Sequence, residues 1–179
     1  ARTELVAAID DEADHLNMLV GNLLDMSRIE SGALQPRREW NILAEIVGNV
    51  LGRMRRLAED HTLKVDVPEE LPLVPVDYVQ MEQVFTNLIS NSLKYAPADT
   101  VVWIRAGVEG EVLHVQVSNQ GPQVPSEHLE RIFDKFYRIT AAEKVTGTGL
   151  GLSICKGIIE AHGGHIWAEN VSDGLAFNF

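Results

Sequence analysis

Cysteine, basic side chains and long apolar runs are all scarce in this sequence of 179 residues. The single cysteine, Cys155, excludes an internal disulfide and is typical of a protein from a reducing compartment. No apolar run approaches the roughly 20 residues that a membrane-spanning helix requires, and the N-terminus lacks the basic and apolar regions of a signal peptide. We therefore expect a cytoplasmic domain, and any membrane anchor of a longer parent protein would lie outside this sequence.

Basic residues are outnumbered, with 15 Lys and Arg against 26 Asp and Glu, which gives a formal net charge of −11. Such a charge repels nucleic acid phosphates and anionic lipid, so no nucleic acid partner is expected. A polyanionic ligand would have to be bound by local groups and a divalent cation. The sequence also has no Gly-Lys-Ser or Gly-Lys-Thr, which excludes a P-loop.

The hydrophobic pattern predicts one long helix, followed by strands and helices that alternate. Residues 4–31 place apolar side chains at the spacing of a helix in a four-helix bundle, and Ser31, Gly32 and Pro36 end this helix. The later helices are predicted over residues 41–59, 77–95 and 148–162, and the strands over residues 35–40, 62–67, 101–108, 111–118, 165–170 and 175–179. These elements predict an α+β fold, a two-layer sandwich with helices over one face of a mostly antiparallel sheet.

Two helix starts and one irregular segment have local signals of their own. Asn41 is predicted to cap the second helix. Asp77 and Gln80 have the spacing of a capping box at the start of the third. Residues 119–146 are polar and irregular except for an amphipathic stretch over residues 126–137, and this segment is predicted to be a lid.

The predicted third helix places three polar side chains on one face. Asn87, Asn91 and Lys94 are spaced by four and three residues, so they lie within an arc of about 60°. Carboxamide oxygens suit Mg²⁺, and an ammonium group suits a phosphate. An ordinary amphipathic helix explains the same spacing, but asparagine is a poor helix former, and two in a helix interior favour a ligand site.

The string GTGLGL at residues 147–152 precedes an apolar helix. Gly147, Gly149 and Gly151 would let backbone amides approach phosphates at the positive end of that helix. A flexible turn is the alternative. A dinucleotide-binding turn is disfavoured because no buried strand directly precedes the glycines.

A rigid turn is predicted after the strand over residues 111–118. Gly121, Pro122 and Pro125 follow that strand, and they would hold the side chain of Asn119 at the floor of a cleft. An ordinary turn at the end of a strand has the same composition. Only the ordered set of the asparagine helix, this turn and GTGLGL predicts a nucleotide pocket.

A fourth string, FDKFYR at residues 133–138, lies between the turn and GTGLGL. In this order the strings resemble the catalytic, ATP-binding domain of bacterial sensor histidine kinases, which belongs to the superfamily shared with gyrase, chaperone and mismatch-repair ATPases. The resemblance implies a Bergerat-type sandwich over residues 35–179. Residues 12–34 are similar to the second helix of the family's dimerisation hairpin, so residues 1–34 are expected to be part of the dimerisation and phosphoacceptor hairpin.

The resemblance also implies cofactors and a role for each matching position. The cofactors are ATP and Mg²⁺, with Asn91 as the metal ligand and Asn87 as its companion on the helix. Lys94 and Arg138 match phosphate contacts, and Tyr95 matches a residue that packs on adenine. The implied nucleotide-binding residues are Asn87, Asn91, Lys94, Tyr95, Asn119, Gly121, Gln123, Arg138, Gly147, Thr148, Gly149, Leu150 and Gly151. No catalytic residue is assigned within this chain. The strings IFDKFYR and GLSICKGIIEAHGG are similar to the potassium-sensing branch of these kinases.

Two positions depart from the family pattern. The family has an aspartate at the position of Asn119, whose carboxylate accepts a hydrogen bond from the adenine amino group. Asparagine keeps one acceptor oxygen but loses the charge, which costs on the order of 1 kcal/mol; it also offers both an acceptor and a donor to an adenine edge. Gln123 replaces the second glycine of the turn, and a positive φ there would add about 1 kcal/mol of strain.

The resemblance implies a protein histidine kinase whose phosphoacceptor lies outside this chain, because none of the six histidines has the family's acceptor pattern around it. The parent protein would transfer the γ-phosphoryl group of MgATP to that histidine and then to an aspartate of a response regulator. We expect the parent to form a homodimer through the hairpin and to be anchored in the inner membrane.

Two other functions stay open at this point. Asn119 and Gln123 suggest a degenerate or engineered domain that binds nucleotide poorly and serves as a dimerising or regulatory scaffold. A non-kinase ATPase of the same superfamily is disfavoured by the apolar helix over residues 4–31.

Overall fold

The computed structural model describes residues 2–139 and 148–179. In that part of the chain the helices are α1 (Arg2–Glu30), α2 (Leu43–Met54), α3 (Tyr78–Tyr95) and α4 (Gly151–Ala161). The strands are β1 (Glu39–Asn41), β2 (Thr62–Asp66), β3 (Val74–Val76), β4 (Val101–Glu109), β5 (Val112–Gln120), β6 (Trp167–Val171) and β7 (Gly174–Asn178). Two short 3₁₀ turns, Ser126–His128 and Arg131–Phe133, lie between β5 and α4. This mixture of elements confirms the predicted α+β class.

Five of the strands form one sheet in the order β2-β4-β5-β7-β6. β2 runs parallel to β4, and the other neighbours are antiparallel. The predicted β4–β5 hairpin forms, and Gly110 at its turn adopts the left-handed φ of +64° that favours glycine. The sheet is therefore mostly antiparallel, as predicted. β1 and β3 pair separately in a two-stranded antiparallel sheet.

The core lies between the helices and one face of the five-stranded sheet. Alternate residues of β4, Val102 and Ile104, are fully buried on this face, as the period of a strand requires. Phe85 of α3 contacts Phe179 edge to face, with ring centroids 5.7 Å apart. The other fully buried large side chains are Ile46, Val47, Val50, Val84, Leu88, Ile89, Leu150, Ile154 and Ile158. Burial of each contributes about 1.5–3 kcal/mol, so this layer holds α3 and α4 in fixed positions.

The C-terminal part of α1 packs against α3, α4 and the segment before α4. Met26 is buried, and its sulfur lies 3.7 Å from Oγ of Ser153. Asp25 Oδ2 accepts a hydrogen bond from Gln83 Nε2 on α3 at 2.6 Å. Closer to the N-terminus of the helix, four apolar side chains are more than half exposed: Leu16, Val20, Leu23 and Leu24. The long helix is thus anchored at its C-terminal end, and over residues 16–24 it leaves an apolar stripe uncovered.

Glycine permits the closest contact between α1 and α4. A Cβ atom at Gly157 would lie 2.6 Å from Cγ2 of Ile29, which is too short for any real pair of carbons. A second link joins Lys135 Nζ to the Glu30 carboxylate in an exposed ion pair. Both contacts tie the end of α1 to the elements that flank the predicted glycine string.

Several sequence predictions of local structure were wrong. β1 begins at Glu39 rather than residue 35, and β3 was not predicted. Asn41 does not cap α2, because its Nδ2 donates to Val76 O and Glu39 O at 2.9 Å each, while the cap position is Ile42 without a side-chain bond. α2 also ends at Met54, before the predicted residue 59. The prediction failed because the side chain of Asn41 bonds to the neighbouring strand β3 instead of capping α2. Local sequence preference does not reveal such a tertiary hydrogen bond.

The start of α3 follows the prediction in part. Asp77 is the N-cap and accepts a hydrogen bond from Gln80 N at 3.1 Å. The reciprocal bond of a capping box is absent here, because Asp77 N donates to His162 Nε2 at 3.0 Å instead. Nδ1 of His162 lies 2.8 Å from Ile158 O. The imidazole ring thus links the end of α4 to the beginning of α3.

Among the described residues, no helix is both long and apolar enough to cross a lipid bilayer.

Candidate functional site

The helix α3 carries the polar face that the sequence predicted. Asn87 and Asn91 are half-buried, and Lys94 and Tyr95 are exposed near the C-terminal end. On the opposite side, Met81, Val84, Phe85 and Leu88 are buried against the core. Hydrophobic packing therefore fixes the rotation of α3 and leaves the asparagine side available to a ligand.

Asn87 connects α3 to the beginning of α4. Its Nδ2 donates to Gly151 O at 3.4 Å, and a Cβ at Gly151 would lie 3.6 Å from Asn87 Cγ. Asn87 also lowers the pKa of the thiol of Cys155, and that thiol donates to Val84 O at 3.8 Å. Asn91, one turn later, forms no side-chain hydrogen bond within residues 2–139 and 148–179. Asn91 thus has its whole carboxamide available, whereas Asn87 uses its amide nitrogen within the protein. The assignment of Asn91 as the metal ligand stays a prediction.

The N-terminus of α4 lacks a side-chain cap. Leu150 occupies the cap position and is 2% exposed. Its own amide donates to Thr148 Oγ1 at 3.3 Å, and no side chain accepts from the first turn of the helix. Uncapped amides at the positive end of a helix form a site for an anion. The predicted phosphate cradle of Gly147, Gly149 and Gly151 thus includes an uncapped helix start, and its contact with phosphate stays a prediction.

Gly149 is required by a close backbone contact. Its φ is +72°, and a Cβ there would lie 2.9 Å from both Cα and C of Phe136. Phe136 N donates to Gly149 O at 3.0 Å, and Phe136 itself has a φ of +60°. The FDKFYR segment is thus joined directly to the glycine string.

The other end of α3 meets the turn that follows β5. We call residues 121–125 the base turn. A Cβ at Gly121 would lie 3.0 Å from Pro97 Cδ, 3.3 Å from Tyr95 O and 3.7 Å from Asn119 Nδ2. The φ of Gly121 is +141°, which also favours glycine. The backbone carbonyl of Tyr95 and the side chain of Asn119 thus both lie beside Gly121. These are three residues that the resemblance assigns to the adenine end.

Asn119 is 5% exposed at the end of β5. Its Nδ2 donates to Gln120 O at 3.0 Å. Oδ1 has no partner within the described residues and is not sealed off from solvent. One hydrogen of the amide nitrogen is bound to the protein, so Asn119 offers a ligand the acceptor Oδ1 and one remaining N–H donor.

Gly174 sets the position of Asn119, and the sequence analysis did not identify it. A Cβ at Gly174 would lie 1.8 Å from Asn119 O, so no side chain fits there. The two residues are near neighbours in the β5–β7 ladder, where Asn119 pairs with Leu175 and Gln120 with Gly174. The available signal was a glycine directly before the strand predicted over residues 175–179, because glycine in or beside a strand often marks a close backbone approach.

Gln123 is not strained. The non-glycine residues with positive φ in the described chain are Asp99 and Phe136, so the condition for strain at Gln123 is not met. Its side chain is exposed, and Nε2 donates to Val171 O at 2.8 Å. This substitution adds a hydrogen bond that a glycine could not form.

The two ends of the site lie on the same helix. Asn87 and Tyr95 are eight residues apart, which is about 12 Å along α3, and Asn91 lies midway. One end presents uncapped amides and the other a buried acceptor beside an exposed tyrosine. Such an arrangement suits an extended ligand with an anionic group at one end and a flat base at the other.

Two predicted site residues are not assigned a place in this geometry. Gly147 lies outside the described residues. Arg138 is exposed near the end of the first described range, where it follows the two 3₁₀ turns. Their predicted contacts with phosphate stay predictions. Residues 140–146 of the segment predicted to be a lid also lie outside the described residues.

Cys155 is fully buried beneath the site. Burial raises the pKa of its thiol from 9.0 to about 12, and the hydrogen bond with Asn87 acts in the opposite direction. The thiol is thus neutral at physiological pH and packs as a small apolar group. In the described part of the chain no cluster of three or more His, Cys, Asp or Glu side chains could hold a metal ion.

A separate cavity of about 380 Å³ lies between α1, the segment after it and the start of α3. Its lining includes Asp25, Arg28, Arg37 and Tyr78. None of the predicted nucleotide-binding residues lines it, so this cavity is distinct from the candidate site.

The fold and the site together define a class. The structure has a helix with two asparagines over a mixed sheet, glycines at the uncapped start of a second helix, and a buried acceptor near the far end of the asparagine helix. Together these features define an ATP-binding catalytic domain of the histidine kinase type. The family described as histidine kinase-, DNA gyrase B- and HSP90-like ATPases matches residues 76–179. This match covers more than half of the chain, and the chain belongs to that family.

Individual relatives agree with this assignment. The chain is 43% identical to the sensor protein KdpD of Escherichia coli (strain K12) over 158 residues, which is 88% of this chain and 18% of that protein. It is 35% identical to the sensor histidine kinase WalK of Bacillus subtilis (strain 168) over 166 residues, which is 90% of this chain and 27% of that protein. The chain therefore spans about a quarter or less of these relatives.

A solved structure of histidine kinase ThkA in complex with the response regulator protein TrrA is similar to this fold. The TM-score is 0.70 at 26% identity, and the match covers 92% of this chain and 48% of that chain.

Proposed function

We propose that this chain is the part of a sensor histidine kinase that binds MgATP and presents its γ-phosphate to a histidine outside the chain. The observation that carries the proposal is the joining of Asn87 to Gly151 at the uncapped start of α4. This contact brings the asparagine helix and the glycine string, which lie 64 residues apart in the sequence, into one surface. A degenerate scaffold has no need of that arrangement.

The residues present fit a magnesium nucleotide. Asn91 offers a carboxamide oxygen, the kind of ligand that Mg²⁺ accepts together with phosphate oxygens and water. Lys94, one turn further, forms no ion pair within the described residues and can bind a phosphate. Bound Mg²⁺ would supply positive charge that stabilises the transferring phosphoryl group.

The net charge of −11 makes these local groups necessary. The field of the whole domain repels a polyanion, so binding depends on the amides at the start of α4, on Lys94 and on the metal. Rate enhancement would come from orientation of the phosphoryl group and neutralisation of its charge, because phosphoryl transfer requires little covalent chemistry from the protein.

Asn119 is proposed to accept a hydrogen bond from the amino group of adenine. One hydrogen of its Nδ2 is bound to Gln120 O, and Oδ1, which has no partner within the described residues and is not sealed from solvent, is the proposed neutral acceptor. A neutral bond is about 1 kcal/mol weaker than a charge-assisted one. We therefore propose an adenine site that is functional and weaker by about 3- to 10-fold than one with aspartate.

The whole protein is proposed to act in a relay. The complex of ThkA with the response regulator TrrA supports a response regulator as the partner that receives the phosphoryl group. The half-exposed stripe of Leu16, Val20, Leu23 and Leu24 supports packing of α1 in a dimerisation hairpin, since such apolar surface is covered by a partner helix in bundles. Identity of 43% to KdpD against 35% to WalK supports a place in the KdpD-like branch.

Titration calorimetry with MgATP tests the proposed site. The chain as it stands is compared with the double variant Asn119→Asp, Gln123→Gly, which restores both family residues. We expect measurable binding to both proteins, within about tenfold of each other. Binding to the double variant alone would establish the degenerate scaffold instead, and binding to neither would overturn the nucleotide site.

A further inference from the structure

The base turn is bound to the β6–β7 hairpin by side chains at both of its ends. Gln123 Nε2 donates to Val171 O at 2.8 Å. Asn170 forms two bonds to one residue: Val124 N donates to Asn170 Oδ1 at 2.9 Å, and Asn170 Nδ2 donates to Val124 O at 2.7 Å. One carboxamide therefore satisfies both backbone groups of Val124, as a neighbouring strand would.

The beginning of the base turn is bound in a similar way. Gly121 N donates to Asp173 O at 2.9 Å, and Gln120 Nε2 donates to Asp173 Oδ2 at 2.8 Å. Gln120 Oε1 also accepts from Val101 N at 3.0 Å. These bonds, together with the close contact of Gly174 with Asn119, attach the adenine end of the site to the β6–β7 hairpin at several points between residues 119 and 124.

A loop held at both ends loses little conformational entropy when a ligand binds. Residues 121–125 would otherwise be a polar surface loop, of the kind that opens at low free energy. The glycine that the family has at position 123 lacks the amide and gives the unbound backbone more freedom. Gln123 supplies a side-chain amide and has less backbone freedom than glycine, so both differences favour an ordered turn.

We infer that Gln123 and Asn170 are positioning residues that hold the base turn in its nucleotide-binding conformation before the nucleotide arrives. Neither side chain has to touch the ligand, because the amide of Gln123 is bound to Val171 and that of Asn170 to Val124. The inference rests on the proposed function. It accounts for the two departures from the family together: the neutral acceptor Asn119 weakens the contact with the base, and the ordered turn lowers the cost of forming it.

Amide hydrogen exchange in the absence of nucleotide measures the order of the turn. The reporters are the amides of Gly121 and Val124 in the unmodified chain, in Gln123→Ala and in Asn170→Ala. Alanine at position 123 removes the amide without the backbone freedom of glycine. The matched control is Gln35→Ala, since Gln35 is exposed and forms no side-chain hydrogen bond within the described residues.

We expect Gln123→Ala to accelerate exchange at both reporters by about 3- to 10-fold, the range that corresponds to one net hydrogen bond. Asn170→Ala should accelerate exchange at Val124 by at least about tenfold, because that amide loses its acceptor. Gln35→Ala should leave both rates unchanged.

Denaturant unfolding of all four proteins is measured alongside, because a lost native bond also lowers global stability by up to the amount that the exchange rates imply. Core amides such as those of Val102 and Ile104 should change by no more than that global loss, which separates opening of the turn from general destabilisation.

Addition of MgATP supplies a second readout. In Gln123→Ala the nucleotide should slow exchange of the base turn more than it does in the unmodified chain, and affinity should fall by about 2- to 10-fold, because the turn is then ordered on binding. Equal exchange rates in Gln123→Ala and Gln35→Ala would overturn the positioning role. Absence of MgATP binding to the unmodified chain would instead overturn the proposed function, whatever the exchange rates.

Discussion

Asn87 on α3 donates a hydrogen bond to the backbone carbonyl of Gly151, the first residue of α4, at 3.4 Å. The carbonyl belongs to the helix end whose amides are uncapped. A substitution on α3 at Asn87 can therefore alter the start of α4. The glycines of the string also differ in whether they tolerate a side chain.

Gly149→Ala should destabilise the protein, and Gly151→Ala should not. Alanine at 149 combines a φ of +72° with a Cβ 2.9 Å from the backbone of Phe136, for which we expect a loss of about 1–3 kcal/mol in the free energy of unfolding. At 151 the Cβ lies 3.6 Å from Asn87 Cγ, an ordinary contact, and the change should be within about 0.5 kcal/mol. Urea denaturation of both variants measures the difference, and equal losses would refute this account of the string.

Asn91→Ala should weaken binding of ATP in a metal-dependent way. The lost carboxamide is the proposed ligand of Mg²⁺, so affinity for MgATP should fall by at least about tenfold, while affinity for ATP in the presence of a chelator should hardly change. Asn17→Ala, an exposed asparagine on α1, is the matched control. Titration calorimetry of the four combinations provides the test, and an equal loss with and without the metal would remove Asn91 from the metal site.

Gly157→Ala should loosen the contact between α1 and α4. The new methyl group would lie 2.6 Å from Cγ2 of Ile29, so either the Ile29 side chain or the two helices must shift. We expect a cost of about 1–3 kcal/mol that exceeds the gain in helix propensity. Gly52→Ala on α2 is the control, because nothing lies within 4 Å of its Cβ position; it should stabilise the protein by about 0.5–1 kcal/mol.

Ile29→Ala in the same chain makes room for the new methyl group. The double variant should therefore be more stable than the sum of the two single changes predicts. Strictly additive effects in denaturant unfolding would show that the two residues do not meet.

Alkaline pH should destabilise the fold through Cys155. The native thiol has a pKa of about 12, against 9.0 in the unfolded chain. Between these values the unfolded state has released its proton and the native state has not, so stability falls by about 1.4 kcal/mol for each pH unit above about 9. Below pH 9 the thiol is protonated in both states and contributes no slope. Cys155→Ala should flatten the decline relative to the unmodified chain when unfolding is measured from pH 8 to 11, and an unchanged slope would contradict the assigned burial.

Patterns confined to one segment predicted the structure well. The apolar spacing predicted α1 and α3 to within two residues, and Asp77 proved to be the N-cap of α3. The β4–β5 hairpin formed around Gly110 as predicted. In these places local propensity and tertiary packing favour the same conformation.

Features that depend on distant partners were missed. Nothing near Asn41 in the sequence indicates that its side chain bonds to Val76 rather than to α2. The importance of Gly174 comes from a carbonyl 55 residues away, that of Asn119. The strain considered for Gln123 required a backbone angle that only the folded turn fixes. Each of these contacts is set by the sheet topology, which local pattern does not determine.

The most direct measurement of the central claim is the change in amide chemical shifts when MgATP is added to the isotopically labelled chain. The account predicts that the largest changes lie together at Asn91 on α3, at Gly121 near the end of that helix, and at Gly149 and Gly151 of the glycine string. Changes confined to the cavity beside Asp25 and Arg37, or no changes at millimolar MgATP, would contradict it.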